Sequence, residues 1–190
     1  MEILSAQPLS NSYLLRYLAA RAIPLPVASA YCSEVLFQNM NRTYYAIGFA
    51  NDALGWEIRN MYFKGCIAPK AITTISKATD VLQIFERFMD FLSWQTLNPS
   101  STCDTIVLNS LALLPRIQEK IKSYKQVESF LDNDDAGRKL FEVLKQFYPQ
   151  IIDGSIRYRT HKDINEWLVA QSKVKEEQPL LLTMKCGIRR

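Results

Sequence analysis

Carboxylates that could hold a metal ion are concentrated after the apolar run 127–131, at Asp132, Asp134 and Asp135. The run predicts the end of a buried strand, and the apolar-periodic segment 140–147 predicts a helix after it. Acids between a strand and a helix lie at the carboxyl end of the strand, where open α/β sheets bind ligands. Asp132 and Asp134 are two positions apart, so both can reach one hard cation such as Mg²⁺. We therefore predict that these two residues bind metal. Acids also favour helix starts, and we assign that capping role to Asp135.

A further acid, Glu86, ends another apolar run at 81–85 and is also followed by a helical pattern. Glu86 and Asp132 can converge on one site only if their strands are neighbours in the sheet. Asp90 lies one helical turn after Glu86 on the same face, so it either adjoins the site or is a solvated helix acid. A carboxylate crowded by others can have a raised pKa, which suits a general acid or base.

The elements that must position these acids alternate between strand and helix from residue 81 onward, as in a parallel sheet. The predicted strands are 81–86, 105–109, 127–132 and 151–157, and the predicted helices are 88–97, 113–124, 135–147 and 164–173. Each strand is nearly continuously apolar, as expected when helices cover both faces of the sheet. With these four strands numbered 1 to 4 along the chain, contact between Glu86 and Asp132 requires the spatial order 2-1-3-4. The predicted fold class is α/β, a four-stranded parallel sheet with helices on both faces, preceded by a small α+β module.

The small module precedes the parallel sheet and combines helices with antiparallel strands. Its predicted helices are 10–22 and 27–33, and its predicted strands are 35–38, 43–49, 56–60 and 71–76. The expected domain organisation is therefore 1–78 for this module, 79–175 for the α/β domain and 176–190 for a C-terminal tail.

Composition limits the classes of function. The 190 residues carry a net charge of +4, which is compatible with nucleic acid as a partner. Four scattered cysteines, expected to be reduced, and the single histidine argue against a zinc site. No apolar run approaches the ~20 residues of a membrane helix, and the N-terminus has no signal pattern, so we predict a cytoplasmic protein without a membrane partner. Tyr31, Tyr44 and Tyr45 are interpreted as core or strand aromatics, and no residue stands out as a covalent nucleophile.

Three segments resemble the Toprim domain, the catalytic fold shared by bacterial primases and topoisomerases. Segment 84–90, Ile-Phe-Glu-Arg-Phe-Met-Asp, is similar to the glutamate motif of the family. Segment 131–138, Leu-Asp-Asn-Asp-Asp-Ala-Gly-Arg, is similar to its Asp-x-Asp motif. Segment 162–165, Lys-Asp-Ile-Asn, resembles the Lys-Asp-x-Asn of primase-type members. Because the three motifs occur in family order, the resemblance implies a primase-type Toprim domain.

The resemblance further implies an enzyme that uses Mg²⁺ or Mn²⁺ to transfer nucleotidyl groups, as a primase does at the start of DNA synthesis. Glu86, Asp132 and Asp134 would be the metal ligands, and Glu86 would also be the catalytic acid or base. Asp90 and Asp163 would complete an acidic rim, although Asp163 could instead cap the last helix.

The strands of the small module resemble the accessory region of the primase core, which presents basic residues to template and nucleotide. The residues expected to contact phosphates are Arg59, Lys64, Lys70, Arg87 and Lys162, since Lys and Arg bind phosphate without reading sequence. Single-stranded DNA and nucleotides are the implied partners. A replicative helicase or mobilisation proteins of a mobile element are further partners that the resemblance implies. Primases of this class carry a zinc-binding module ahead of the core, so we interpret the chain as a fragment or a reduced relative.

Arg87 departs from the family, which usually has glycine immediately after the catalytic glutamate. We expect its side chain to point away from the metal and toward incoming phosphate. One alternative is a non-catalytic nucleic-acid-binding relic, in which Arg87 closes the site by pairing with Glu86 or Asp132. Another is a Toprim-type nuclease that uses the same acids for hydrolysis.

Overall fold

The structure, a computed structural model, describes residues 1–174 of the chain, so the predicted tail 176–190 lies outside the described residues. Its N-terminal part is a five-stranded antiparallel sheet in sequential order. The strands are β1 Glu2–Gln7, β2 Cys32–Asn39, β3 Arg42–Ala50, β4 Trp56–Arg59 and β5 Lys64–Ile67, and the helices between β1 and β2 are α1 Ser12–Ala20 and α2 Leu25–Ser29. Of the strands, β1 and β5 were not predicted from the sequence.

Helix α1 begins where the side chain of Asn11 accepts a hydrogen bond from the N–H of Tyr13 at 3.0 Å. It buries Leu14, Tyr17 and Leu18. Helix α2 begins at Leu25, earlier than the predicted 27–33, because Pro26 is tolerated in the first turn of a helix, where its missing N–H has no partner to lose.

The second sheet has the order β10-β9-β7-β8-β6. Its strands are β6 Thr73–Ile75, β7 Val81–Phe85, β8 Asp104–Val107, β9 Gln126–Phe130 and β10 Ile152–Asp153. The helices of this part are α3 Phe88–Leu97, α4 Gln118–Ile121, α5 Asp135–Phe147 and α6, which spans 164–174, and 3-10 helices occupy Leu111–Arg116 and Gly154–Tyr158. Strand β7 pairs in parallel with both β8 and β9, and β9 pairs in parallel with β10. The α/β class and the spatial order 2-1-3-4 of the parallel strands are therefore confirmed.

Three details of this sheet differ from the prediction. Strand β6 was expected in the N-terminal module but pairs antiparallel with β8, so the sheet has five strands rather than four. The predicted strand 151–157 stops at Asp153, whose carboxylate accepts from the N–H of Ser155 at 2.9 Å and starts a 3-10 helix. The predicted helix 113–124 is broken into a 3-10 helix and α4, because Pro115 offers no N–H for a continuous α-helix.

The two sheets share one apolar cluster, which fixes their relative position. Ile47 and Phe49 of β3 pack in this cluster with the aromatic side chains of α3. The rings of Phe49 and Phe88 stack with centroids 5.3 Å apart. This packing is consistent with a cleft that Arg59 at the end of β4, Lys64 at the start of β5 and Arg87 after β7 line together.

Asn165, the last residue of the Lys-Asp-x-Asn segment, joins three helices. Its buried side chain donates to the carbonyl of Arg21 and to the hydroxyl of Ser93, both at 2.9 Å, and accepts from the guanidinium of Arg21 at 3.0 Å. Because these bonds satisfy a polar group in the interior, Asn165 holds α6 against α1 and α3. Within residues 1–174, no helix is both long and apolar enough to cross a membrane.

Candidate active site

The acids predicted from the sequence lie at the carboxyl ends of two neighbouring strands. Phe85, the last residue of β7, is paired in register with Phe130, the last residue of β9, and their rings stack at 4.9 Å. Glu86 follows the first strand immediately, and Asp132 follows the second after one residue. Both carboxylates are buried.

Three aspartates form the tightest acidic group in the described part of the chain. One carboxylate oxygen from each of Asp90, Asp132 and Asp163 lies within 4.8 Å of the others. Asp90 is buried in the first turn of α3, and Asp163 precedes α6. Asp163 also accepts from the N–H of Glu166 at 2.8 Å, so it caps α6 and adjoins the acidic group at the same time. Asp163 therefore lies both at the start of α6 and beside the other two acids.

Asn133 positions the loop that carries Asp163. Its side-chain amide donates to the carbonyls of Tyr158 and His161, at 3.0 and 2.9 Å, and its N–H donates to the carbonyl of Lys162 at 2.7 Å. The hydroxyl of Tyr158 donates to the carbonyl of Leu131 at 2.8 Å. These bonds connect the end of β9 to the loop before α6 and bring Lys162 and Asp163 to the acids.

Asp134 is the N-cap of α5, a role that the sequence analysis gave to Asp135. One oxygen of Asp134 accepts from the N–H groups of Ala136 and Gly137, at 3.0 and 2.9 Å. The Gly137 bond is the main reason that the pKa of Asp134 lies below its usual range. Asp135 instead pairs with Arg138 on the surface.

Gly137 allows α5 to begin this close to the acids. A Cβ at this position would lie 2.0 Å from the carbonyl oxygen of Asp132. The glycine in the Asp-Asn-Asp-Asp-Ala-Gly segment therefore lets the backbone of α5 contact the backbone of Asp132.

Arg87 points into the acidic site, so the expectation of an outward side chain is wrong. Its guanidinium donates to Asp132 at 2.8 Å and to Glu86 at 2.7 Å. Buried carboxylates need a positive partner, and Arg87 supplies it. The backbone of Arg87 is extended, with φ −135° and ψ 156°, so this position does not require glycine. The side chain of Arg87 is still 36% exposed.

The electrostatics of the site favour protonation of the buried acids. Burial raises the pKa of Glu86, and the neighbouring Asp132 raises it further, against a lowering by Arg87. Burial also raises the pKa of Asp132, with Arg87 acting in the opposite direction. The pKa of Asp90 lies well above its usual range because of burial and the nearby charges of Asp163 and Asp132. One oxygen of Glu86 is buried without a hydrogen-bond partner, as expected of a carboxylate that has a further partner to bind.

The raised pKa of Asp90 predicts that the contribution of this residue to the stability of the metal-free protein falls as the pH rises. In the unfolded chain an aspartate ionises near a pKa of about 3.9. Folded Asp90 keeps its proton to higher pH, so the folded state binds more protons between these two pKa values and stability falls across that interval. Asp90→Asn cannot ionise and should remove this part of the slope. Urea unfolding of both proteins at several pH values above 4 measures the effect.

Asp135→Asn is the matched control for that experiment, since Asp135 is an exposed acid near the site that pairs only at the surface. The control should follow the wild-type pH profile, whereas Asp90→Asn should gain stability relative to wild type as the pH rises. Parallel profiles for wild type and Asp90→Asn would contradict the burial argument.

A basic cleft adjoins the acids. It has a volume of about 270 Å³, and Arg59, Lys64, Lys70 and Arg87 line it together with Asn109 and four other residues. The structure thus brings four of the five predicted phosphate-binding residues into one cleft. The fifth, Lys162, is not among its lining residues and instead acts on Asp134, whose pKa it lowers. Lys70 also pairs with Glu57 at 3.4 Å.

Asn109 is a site residue that the sequence analysis missed. It follows the end of β8, and its N–H donates to the carbonyl of Glu86 at 3.1 Å. Its amide donates to Ala71 and Thr73, while its side-chain oxygen is buried without a partner at the cleft. The available signal was a polar residue at the carboxyl end of the predicted strand 105–109, next to the strand that precedes Glu86.

Comparisons with known proteins agree with this geometry. Residues 83–168 match a family model described as Toprim-like, and residues 3–68 match a domain of unknown function, DUF8464. The crystal structure of the primase fragment of the bacteriophage T7 primase-helicase protein is similar with a TM-score of 0.60 and 15% identity, over 92% of this chain and 78% of that one.

A second similar structure contains bacteriophage T7 lagging-strand DNA polymerase with primase domains bound to an RNA/DNA hybrid and dTTP. The match has a TM-score of 0.62 and 14% identity, over 90% of this chain and 95% of that one. A search of curated proteins finds no match. Residues 83–168 therefore form a Toprim-like domain, preceded by an antiparallel sheet module, and the fold of the chain is similar to that of these primase structures.

Proposed function

We propose that the protein is a metal-dependent nucleotidyltransferase that synthesises primers on single-stranded DNA. The observation that carries this proposal is the position of the acidic group, Asp90, Asp132 and Asp163 with Glu86 beside them, next to a cleft lined by four basic side chains. Phosphoryl-group chemistry needs this combination, since acids hold the metal and basic residues hold phosphates. The similar structures described above are themselves structures of primase domains.

The donor set fits Mg²⁺ or Mn²⁺. Three carboxylate oxygens converge within 4.8 Å, and hard cations of this kind prefer oxygen ligands. Asp90, Asp132 and Asp163 would hold the ion, with Glu86 and Asp134 as further candidate ligands. When bound, such an ion supplies charge neutralisation at phosphate oxygens and a lowered pKa for an attacking hydroxyl.

The remaining chemistry belongs to side chains of this protein. Glu86 has a raised pKa and a buried oxygen without a hydrogen-bond partner, so it is the candidate general acid or base. Arg59, Lys64 and Lys70 would bind template and nucleotide phosphates in the cleft. Arg87 must first release Asp132. Its guanidinium can then bind a phosphate instead of the carboxylate.

We also propose the cellular process and the protein partners of this reaction. A cytoplasmic protein with this activity would act in DNA replication or mobilisation of a mobile element, with a replicative helicase or mobilisation proteins as partners. The T7 primase fragment derives from a primase-helicase protein, which supports a helicase as the first partner to test.

The ion pairs of Arg87 favour one second candidate, a non-catalytic nucleic-acid-binding protein. Two short bonds to Glu86 and Asp132 occupy the acids that a cation would neutralise. In that case the basic cleft would bind nucleic acid and the acids would only anchor Arg87.

Oligonucleotide synthesis distinguishes the two candidates. The full chain is incubated with single-stranded DNA, labelled nucleoside triphosphates and Mg²⁺ or Mn²⁺, and the products are separated by length. We expect short oligonucleotides that require metal and template. Binding of the template in the same buffer, without any product under Mg²⁺ or Mn²⁺, would support the non-catalytic candidate and contradict the proposed activity.

A further inference from the structure

An aromatic groove on the N-terminal module lies outside the candidate active site. It has a volume of about 430 Å³ between the start of α1 and the turn that follows β4. Three tyrosines, Tyr13, Tyr45 and Tyr62, line it and are 73%, 46% and 93% exposed. Single exposed aromatic residues are ordinary, but three that line one groove form a surface with a shared chemistry.

The groove is built by a rigid turn rather than by a loose loop. The side chain of Asn60 accepts from the N–H groups of Tyr62 and Phe63, each at 2.9 Å, and donates to the carbonyl of Tyr45 at 2.9 Å. This arrangement ties the turn 60–63 to β3 and holds the backbone that carries Tyr62. On the opposite wall, the guanidinium of Arg16 lies 4.6 Å from the ring centroid of Tyr13.

The charge of the groove identifies its occupant. No acidic residue is among the groove's lining residues, and Arg16 supplies a positive charge. Exposed aromatic rings beside a cation are the combination that binds single-stranded nucleic acid. Every nucleotide has a base whose face can stack on a ring and a phosphate that needs a counter-charge. An apolar protein segment would use the rings but would offer no negative charge to Arg16.

Neighbouring residues of the chain line the groove and the basic cleft. Asn60 lines the groove, and its neighbour Arg59, at the end of β4, lines the cleft. A strand whose bases stack on the tyrosines would therefore direct its backbone toward Arg59, Lys64 and Lys70. We propose that this groove, defined by Tyr13, Arg16, Tyr45 and Tyr62, is a base-stacking site for single-stranded nucleic acid. The site extends the proposed function but requires neither metal nor catalysis.

Fluorescence anisotropy without metal or nucleotides tests the site. The probes are labelled (dT)n, (rU)n and an abasic strand with the same number of phosphates, each about 12 nucleotides long to span one site. Wild type should bind both base-containing strands more tightly than the abasic strand. Tyr13→Ala/Tyr62→Ala should lose about fivefold or more in affinity for the base-containing strands and leave the abasic strand unaffected. The salt dependence of binding by this double variant should equal that of wild type, because no charge is removed.

Two sets of variants complete the design. Tyr13→Phe/Tyr62→Phe keeps the rings and should bind like wild type, and Leu54→Ala controls for loss of an exposed apolar side chain elsewhere. Arg59→Ala/Lys64→Ala/Lys70→Ala should weaken all three strands together and reduce the log–log salt slope by about 2. Equal affinity of wild type and Tyr13→Ala/Tyr62→Ala for (dT)n and (rU)n would overturn the proposal. An equal loss on the abasic strand would overturn it as well, whatever the outcome of the primer assay.

Discussion

Asp132→Asn is expected to abolish oligonucleotide synthesis. Asp132 belongs to the group of three converging carboxylates and is paired with Arg87, so it lies at the centre of the site. Neutralisation of phosphate charge by a metal contributes several kcal/mol to such reactions, and loss of about 4 kcal/mol lowers the rate about 10³-fold. The amide keeps the size of the side chain, so circular dichroism and thermal unfolding should still report a folded protein. Initial rates of primer synthesis at saturating Mg²⁺ measure the effect.

Asp135→Asn is the control for this loss, since it removes a negative charge three positions away that pairs with Arg138 at the surface. It should keep nearly all activity. If Asp132→Asn and Asp135→Asn were equally active, the carboxylate of Asp132 would have no part in the reaction.

Arg87→Gly is expected to raise the affinity for Mn²⁺ about tenfold or more. The guanidinium bonds directly to Glu86 and Asp132, so a cation must displace it or accept its repulsion. At a separation of about 4 Å, two unit charges interact by about 4 kcal/mol near a protein surface, and the partial exposure of Arg87 reduces this value. The extended backbone at this position accommodates glycine. Titration calorimetry with Mn²⁺ measures the change.

Primer synthesis by the same variant separates the two roles of Arg87. If Arg87 binds phosphate during the reaction, as proposed, Arg87→Gly should bind metal more tightly and synthesise primers more slowly. A variant that gains synthesis where wild type has none would support the closed, non-catalytic site. Arg138→Ala, which removes an arginine paired outside the acidic group, should alter neither measurement.

The chemistry of the acids allowed much of the fold to be predicted. Placing Glu86 beside Asp132 required their strands to be neighbours, and the observed order β10-β9-β7-β8 satisfies that requirement. Helices α3 and α5 also occur where apolar periodicity placed them, at Phe88–Leu97 and Asp135–Phe147. These features depend on local patterns and on one constraint of proximity, both of which the sequence contains.

The features that were missed depend on contacts between distant residues. The direction of Arg87 is decided by the burial of Glu86 and Asp132, which no local pattern specifies. Asp134 and Asp135 are equally good caps by residue type, and only the start of α5 decides between them. Strand β6 is three residues long, so its sequence could not indicate that it joins β8 rather than the N-terminal sheet.

The position of a bound metal tests the central claim most directly. Crystals of the wild-type protein soaked in Mn²⁺ can be measured at a wavelength where manganese scatters anomalously. The account predicts an anomalous peak in contact with carboxylate oxygens of Asp90, Asp132 and Asp163, with the guanidinium of Arg87 moved away from Asp132. No peak at these acids at saturating Mn²⁺, with both bonds of Arg87 intact, would contradict the proposed metal site and the activity derived from it.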